Sequence, residues 1–221
     1  ASNLTVTKRN VNSLSDLAAK GVSVLSDNKK AVEQSEIIVL AVKSYNVQPI
    51  LTEIKEALDG SKHILISVAT GVSLAEIKEW AGKELPVFRA MPNTAADVNE
   101  SMTLICDDGA SDDQRQTVTA LFDKIGSTQQ IAENLMEAAT ILGACGIAYV
   151  LRFMRAMIQG GIEVGFDAKT ATAIVSQTMK GASELIIQNG THPESEIDKV
   201  TTPKGCTITG LNEMEHAGFS S

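Results

Sequence analysis

The chain has 221 residues, 43% hydrophobic and 21% charged, enough for one large or two ordinary domains with a packed core and too apolar for a disordered chain. Its formal net charge of −8 argues against nucleic acid as a partner, because phosphate binding rests on clustered Lys and Arg, but leaves small anionic ligands open. Cys106, Cys145 and Cys206 are far apart with no C-x-x-C, so they read as reduced thiols of a cytoplasmic protein; no signal peptide is expected, and no apolar run approaches the roughly 20 residues that span a bilayer.

The first half alternates short β-type runs with helical patterns. Leu4 to Thr7 is a strand, Val11 to Lys20 a helix stopped at Gly21, and Val22 to Leu25 a second strand. Glu36 to Ala41 is a buried strand by its continuous apolar run, followed by a helix over Val47 to Leu58 and a strand over His63 to Val68. Ser73 and Glu76 make a capping box that opens a helix running through Trp80. Val87 to Ala90 is a strand, and Ser111 with Gln114 opens a helix that reaches Ile125. Such alternation predicts a parallel sheet with helices on both faces, a Rossmann-type α/β domain over residues 1–130.

Residues 131–221 show no strand pattern. Glu133 to Gln159 is apolar on a helical period, and Asp167 to Gln188 is a second long helix. Thr191 and Glu194 suggest a capping box around Pro193, so a short helix follows. This half is rich in Ala, Ile, Met and Gly. Helices this apolar need a partner, which favours a homodimer built from them, with a monomeric bundle as the alternative.

The densest signal lies in Lys199 to Phe219. Thr201, Thr202, Thr207 and Thr209 crowd around Pro203 and Gly205, and a helical pattern follows. A tight turn thus delivers hydroxyls and backbone N–H groups at a helix start, where the first donors lack intrahelical partners and the dipole is positive. A small carboxylate fits on Gly205, Cys206 and Thr207; a Thr-capped helix with a Pro turn explains the same residues without a ligand.

These residues resemble the signature of pyrroline-5-carboxylate reductase: Thr201-Thr202-Pro203-Lys204-Gly205-Cys206-Thr207-Ile208, then Gly218-Phe219. Lys204 stands where a small residue is usual. Phe88 to Thr94, Ala41-Val42-Lys43 and Leu142 to Tyr149 are similar to further family segments, in family order; Ile147 replaces a usual Pro. The resemblance implies reduction of 1-pyrroline-5-carboxylate to L-proline with a nicotinamide cofactor, and a dimer or higher homo-oligomer. It implies substrate contacts at Val200, Thr202, Gly205, Cys206 and Thr207, with the Thr207 hydroxyl on the ring nitrogen.

A dinucleotide fold is expected to carry G-x-G-x-x-G after its first strand, and this sequence has none. Relative to the family, the first strand, its phosphate loop and the first helix are absent, as is a helix beyond Gly218-Phe219. The expectation is that they belong to the molecule outside this sequence; an inactive remnant without the loop is the competing reading. The end of the second family strand is still legible. Lys8, Arg9 and Asn10 stand there without a carboxylate, a set that suits the 2′-phosphate of NADPH better than the bare ribose of NADH, though NADH is not excluded. Ala41, Val42, Lys43, Ala69 and Asn93 follow later strands. Ligands of open α/β sheets bind at such strand ends, so all are candidate cofactor contacts.

Imine reduction needs little acid–base machinery, because the cofactor carries the hard step. His63, His192 and His216 share no ligand spacing and read as surface or capping residues, and Asp107-Asp108 and Asp112-Asp113 as helix and loop charges, so no metal site is expected. The alternative is a related NADP-dependent imine or β-hydroxyacid reductase. The latter would carry a lysine in the first helix of the helical half, and Glu133 to Tyr149 contains none.

Overall fold

Strands and short helices alternate as far as Gln130, and only helices follow. In the computed structural model, which describes residues 3–220, the order is β1 (Thr5–Thr7), α1 (Ser15–Ala19), β2 (Ser23–Leu25), α2 (Asn28–Glu33), β3 (Ile37–Leu40) and α3 (Val47–Ile54). It continues with β4 (Ile64–Ser67), α4 (Leu74–Ala81), β5 (Val87–Met91), β6 (Ser101–Asp108), α5 (Asp112–Phe122) and β7 (Gly126–Gln130). Then come α6 (Met136–Ala139), a π-helical segment (Thr140–Cys145), α7 (Gly146–Glu163), α8 (Ala168–Asn189), α9 (Pro193–Val200) and α10 (Cys206–His216).

The capping box at Ser73 and Glu76 opens α4, and a second at Ser111 and Gln114 opens α5. Asp27 caps α2 by accepting from Lys30 N at 3.1 Å. The cap of α9 is His192, not Thr191: its Nδ1 accepts from Glu194 N, while the Thr191 hydroxyl donates to Glu196. The imidazole reaches the second helical N–H better than a threonine one position earlier.

The sheet differs from a single parallel one in two ways. β3, β4 and β5 are parallel, but β6 returns antiparallel to β5 through a short 3-10 segment (Thr94–Val98), and β7 runs parallel to β6. The direct β5–β6 connection is too short for a parallel crossover. β1 and β2 form a separate two-stranded parallel sheet. Among the described residues no strand pairs with the outer edge of β1 or of β3. Between those edges lies a slot of about 360 Å³, lined by Thr5, Val6 and Thr7 on one side and Ile38, Val39 and Leu40 on the other.

Helices cover both faces of the larger sheet. On one face Leu51, Ile54, Leu65, Ile77, Val87 and Met136 form the main core; on the other Ile66, Phe88, Ile105, Val118 and Phe122 form a second. Neighbours along β4 therefore face opposite cores, as the two-residue period of a strand requires. Burying each of these side chains is worth about 1.5–3 kcal/mol. His63, expected at the surface or in a cap, is instead buried, 2% exposed just before β4, where its Nδ1 accepts from Asp59 N at 2.9 Å within the turn that leads into the strand.

Packing divides the chain into two compact units, up to Ala148 and from Tyr149 onward. In the second, only Ala171 and Val175 are buried among the described residues. Gly161 lies against Ala171, and the Phe153 and Phe219 rings meet at 5.7 Å between centroids. Tyr149, Leu151, Ile162, Ile174 and Ile187 are exposed on these helices. The run Glu133–Glu163 is, by length and hydropathy, able to cross a bilayer, which the expectation of no such run did not foresee; none of its apolar window is buried in the chain.

Candidate active site

Two clusters of candidate residues form, one in each unit. In the first, the parallel direction of β3, β4 and β5 puts Ala41, Val42, Lys43, Ala69 and Asn93 at the same sheet edge, just beyond three neighbouring strand ends. Ala41 and Val42 also line the slot beside Thr7, so the end of β1 with Lys8, Arg9 and Asn10 adjoins them. Lys8, Arg9 and Lys43 are exposed, and none has a carboxylate partner among the described residues. Unpaired cations at strand ends fit the phosphates of a dinucleotide.

The other members serve the backbone. Asn10 Oδ1 accepts from Asn12 N at 3.2 Å, capping the turn that follows β1. Ala69 is 4% exposed, with its N–H on Ser67 Oγ. Its small side chain lets a ligand approach the main chain. Asn93 is the most heavily engaged. Its N–H donates to Ser101 Oγ, its Oδ1 accepts from Ala95 N, and its Nδ2 donates to the Gly143 carbonyl, each at 3.0 Å. Gly143 lies in the π-helical segment, whose widened turns offset the usual carbonyl pairing, and Asn93 supplies the donor.

In the second unit, Val200 ends α9 and is 61% exposed. The chain then turns through Thr202-Pro203-Lys204-Gly205, closed by Gly205 N on Thr202 O at 2.9 Å. Lys204 adopts φ +59°, a left-handed conformation that favours glycine. A Cβ on Gly205 would crowd the Thr202 hydroxyl and carbonyl, so the close approach favours glycine. The turn spends the Gly205 N–H. The donors left for an anion at the start of α10 are Cys206, Thr207 and Ile208, the first three helical positions. The Thr207 hydroxyl makes no hydrogen bond among the described residues, whereas the Thr209 hydroxyl bonds back to the Gly205 carbonyl. A half-buried hydroxyl thus stands among backbone donors at the positive end of a helix.

Sequence reasoning missed one engaged group. Arg89, in the middle of β5, is 7% exposed and donates to Glu133 at 2.9 Å. The signal was a charged residue inside an apolar strand, which implies a buried counter-charge. Cys106 lies opposite Arg89 in β6; burial pushes its thiol up to about 11, so it packs as an apolar group. Among the described residues no cluster of His, Cys, Asp or Glu suits a metal ion.

Residues 133–221 match the family model for pyrroline-5-carboxylate reductase dimerisation, and residues 1–71 match that of the NADP oxidoreductase, coenzyme F420-dependent. The chain is 36% identical to pyrroline-5-carboxylate reductase 2 of Dictyostelium discoideum, over 99% of this chain and 78% of that one. It belongs to the pyrroline-5-carboxylate reductase family. Against pyrroline-5-carboxylate reductase 1 of the same organism the identity is 41% over 99% of this chain, which spans only 42% of that protein's length. The fold matches the NADP-bound pyrroline carboxylate reductase of Plasmodium falciparum with a TM-score of 0.81 at 28% identity, covering 90% of this chain and 76% of that one. A nucleotide-binding α/β domain followed by a helical dimerisation domain is therefore the architecture of the chain, and NADP the cofactor of its family.

Proposed function

We infer that the protein reduces 1-pyrroline-5-carboxylate to L-proline with NADPH. The carrying observation is the α10 start, where three backbone donors and the Thr207 hydroxyl stand together behind a glycine-dependent turn. The N–H groups of Cys206, Thr207 and Ile208 bind the substrate carboxylate, with Thr202 and Val200 flanking it. The Thr207 hydroxyl orients the ring nitrogen. NADPH, when bound, supplies the hydride for the imine carbon; the C=N electron pair moves to nitrogen. A hydroxyl is too weak an acid to be the ultimate proton source, so Thr207 relays a proton from solvent when the imine arrives neutral.

On the cofactor side Lys8, Arg9 and Lys43 hold phosphate, Ala41, Val42 and Ala69 allow close backbone approach, and Asn93 shapes the end of β5. The division at Gln130 between cofactor and substrate halves follows this allocation, with residues 1–130 binding NADPH and 131–221 binding substrate. A β-hydroxyacid reductase is disfavoured, because Glu133 to Tyr149 offers no lysine for that chemistry. We place the enzyme in the cytoplasm, where its free Cys145 and Cys206 stay reduced.

The apolar faces of α7 and α8 are covered by a second copy of the chain. Two buried residues in four helices make no core for a lone unit. Sedimentation of the intact protein at micromolar concentration is expected to show a dimer or larger, and a monomer sinks this assembly. The functional reading is tested by following NADPH absorbance with racemic pyrroline-5-carboxylate and assaying the product. Stoichiometric L-proline supports it; no turnover with this imine but turnover with a hydroxyacid contradicts it.

A further inference from the structure

We propose that Glu133 is a positioning residue that fixes the spacing between two strand-end loops of the cofactor site; this rests on the reductase reading. One oxygen atom makes both attachments. Glu133 Oε1 accepts from Arg89 Nη1 at 2.9 Å and from the backbone N–H of Leu74 at 2.7 Å. Arg89 lies in β5, four residues before Asn93. Leu74 is the first residue of α4 and follows the loop that carries Ala69. Glu133 itself opens the 3-10 turn that leads into α6. The carboxylate thus joins the centre of β5, the start of α4 and the first residue of the segment matched as the dimerisation domain.

At the start of α4 the capping box satisfies two donors locally. Ser73 N donates to Glu76 Oε2, and Glu76 N to Ser73 Oγ. Leu74 N takes its acceptor from outside the helix, and Leu74 is 5% exposed, so water does not readily replace Glu133. An anionic acceptor suits a helix N-terminus and Arg89 together. The negative charge serves Arg89. The acceptor oxygen serves Leu74 and the loop behind it. Because the two duties separate chemically, a merely structural ion pair can be told from a positioning device.

Two variants of the intact protein divide them. Glu133→Gln keeps an oxygen for Leu74 N but takes away the ion-pair partner of Arg89. It is expected to lower the melting temperature by about 3–6 °C while NADPH affinity stays within about twofold. The double variant Arg89→Met/Glu133→Leu removes the buried Arg89 charge together with its half-buried partner, and with them the Leu74 acceptor. Its melting temperature is expected within roughly 2 °C of the parent, since buried pairs are often replaceable by apolar residues. Yet hydrogen exchange at the Leu74 amide should accelerate at least about 10-fold, and the Kd for NADPH should rise about 5- to 10-fold. Exchange and Kd unchanged in the double variant overturn the proposal, as does an affinity that simply follows melting temperature in both. If the parent protein itself fails to bind NADPH, the reductase reading falls, and Leu74 exchange alone decides whether Glu133 holds the loop.

Discussion

Replacing Lys8 and Arg9 together by alanine tests the cofactor assignment where the structure is most specific. Both side chains are exposed beyond β1 and make no ion pair among the described residues, so no salt bridge seen there is lost with them. The change therefore acts on the ligand rather than on the fold. A charge-assisted hydrogen bond contributes about 1.5–3 kcal/mol where solvent is excluded. These cations remain partly in water, which brings each contact to roughly 1–1.5 kcal/mol. Two contacts then give about 2–3 kcal/mol, or roughly a 30- to 150-fold loss of preference for the cofactor with the 2′-phosphate. The assay is kcat/KM with NADPH and with NADH for parent and double variant. NADPH is expected to lose most of its advantage while NADH changes little. A preserved NADPH:NADH ratio would show that the 2′-phosphate sits elsewhere.

Gly126 is expected to be intolerant of alanine. It starts β7 at φ +144°, and an added Cβ would run into the backbone of Ser101, its partner in the β6–β7 ladder. Strain and lost pairing together cost about 2–4 kcal/mol, seen as a drop of roughly 5–15 °C in melting temperature; a shift under about 2 °C would contradict the packing. His63 gives a pH dependence. Burial, aided by neighbouring Lys62, holds its pKa below 6.5, so the unfolded chain takes up the proton more readily. Its contribution is therefore whole above about pH 6.5 and is lost as pH falls below it. Urea midpoints at pH 7.5 and 5.5 should show a steeper decline for the parent than for His63→Asn, whose carbonyl still accepts from Asp59 N; equal declines would remove His63 from the explanation.

The sequence revealed elements where local chemistry and burial agreed. Ser73-x-x-Glu76 and Ser111-x-x-Gln114 marked real helix starts, and the apolar runs of β3, β4 and β5 marked the buried centre of the sheet. β6 escaped although its Thr103 to Cys106 stretch is buried, because the polar residues at both ends hid the run. β7, Gly-Ser-Thr-Gln-Gln, has no apolar signal at all: it is an edge strand defined by backbone pairing to β6. The antiparallel turn from β5 to β6 was equally invisible, since periodicity carries no strand direction. At the candidate site, the residue types around Gly205 were readable, but that its N–H closes the turn and leaves the next three donors free is a matter of geometry. The Arg89–Glu133 bond spans 44 residues, and only the fold brings its ends together.

The central claim is that the substrate sits at the start of α10 with its nitrogen on the Thr207 hydroxyl. The direct measurement is steady-state pyrroline-5-carboxylate reduction by Thr207→Ala and Thr207→Ser, with NADPH affinity measured alongside. Losing one hydrogen bond to the reacting group, worth about 1–3 kcal/mol, predicts a fall in kcat/KM on the order of 10- to 100-fold for alanine. Serine keeps the oxygen and should retain most activity, and NADPH binding should hold in both. Full activity in Thr207→Ala, or a loss confined to NADPH binding, would mean that the substrate lies elsewhere.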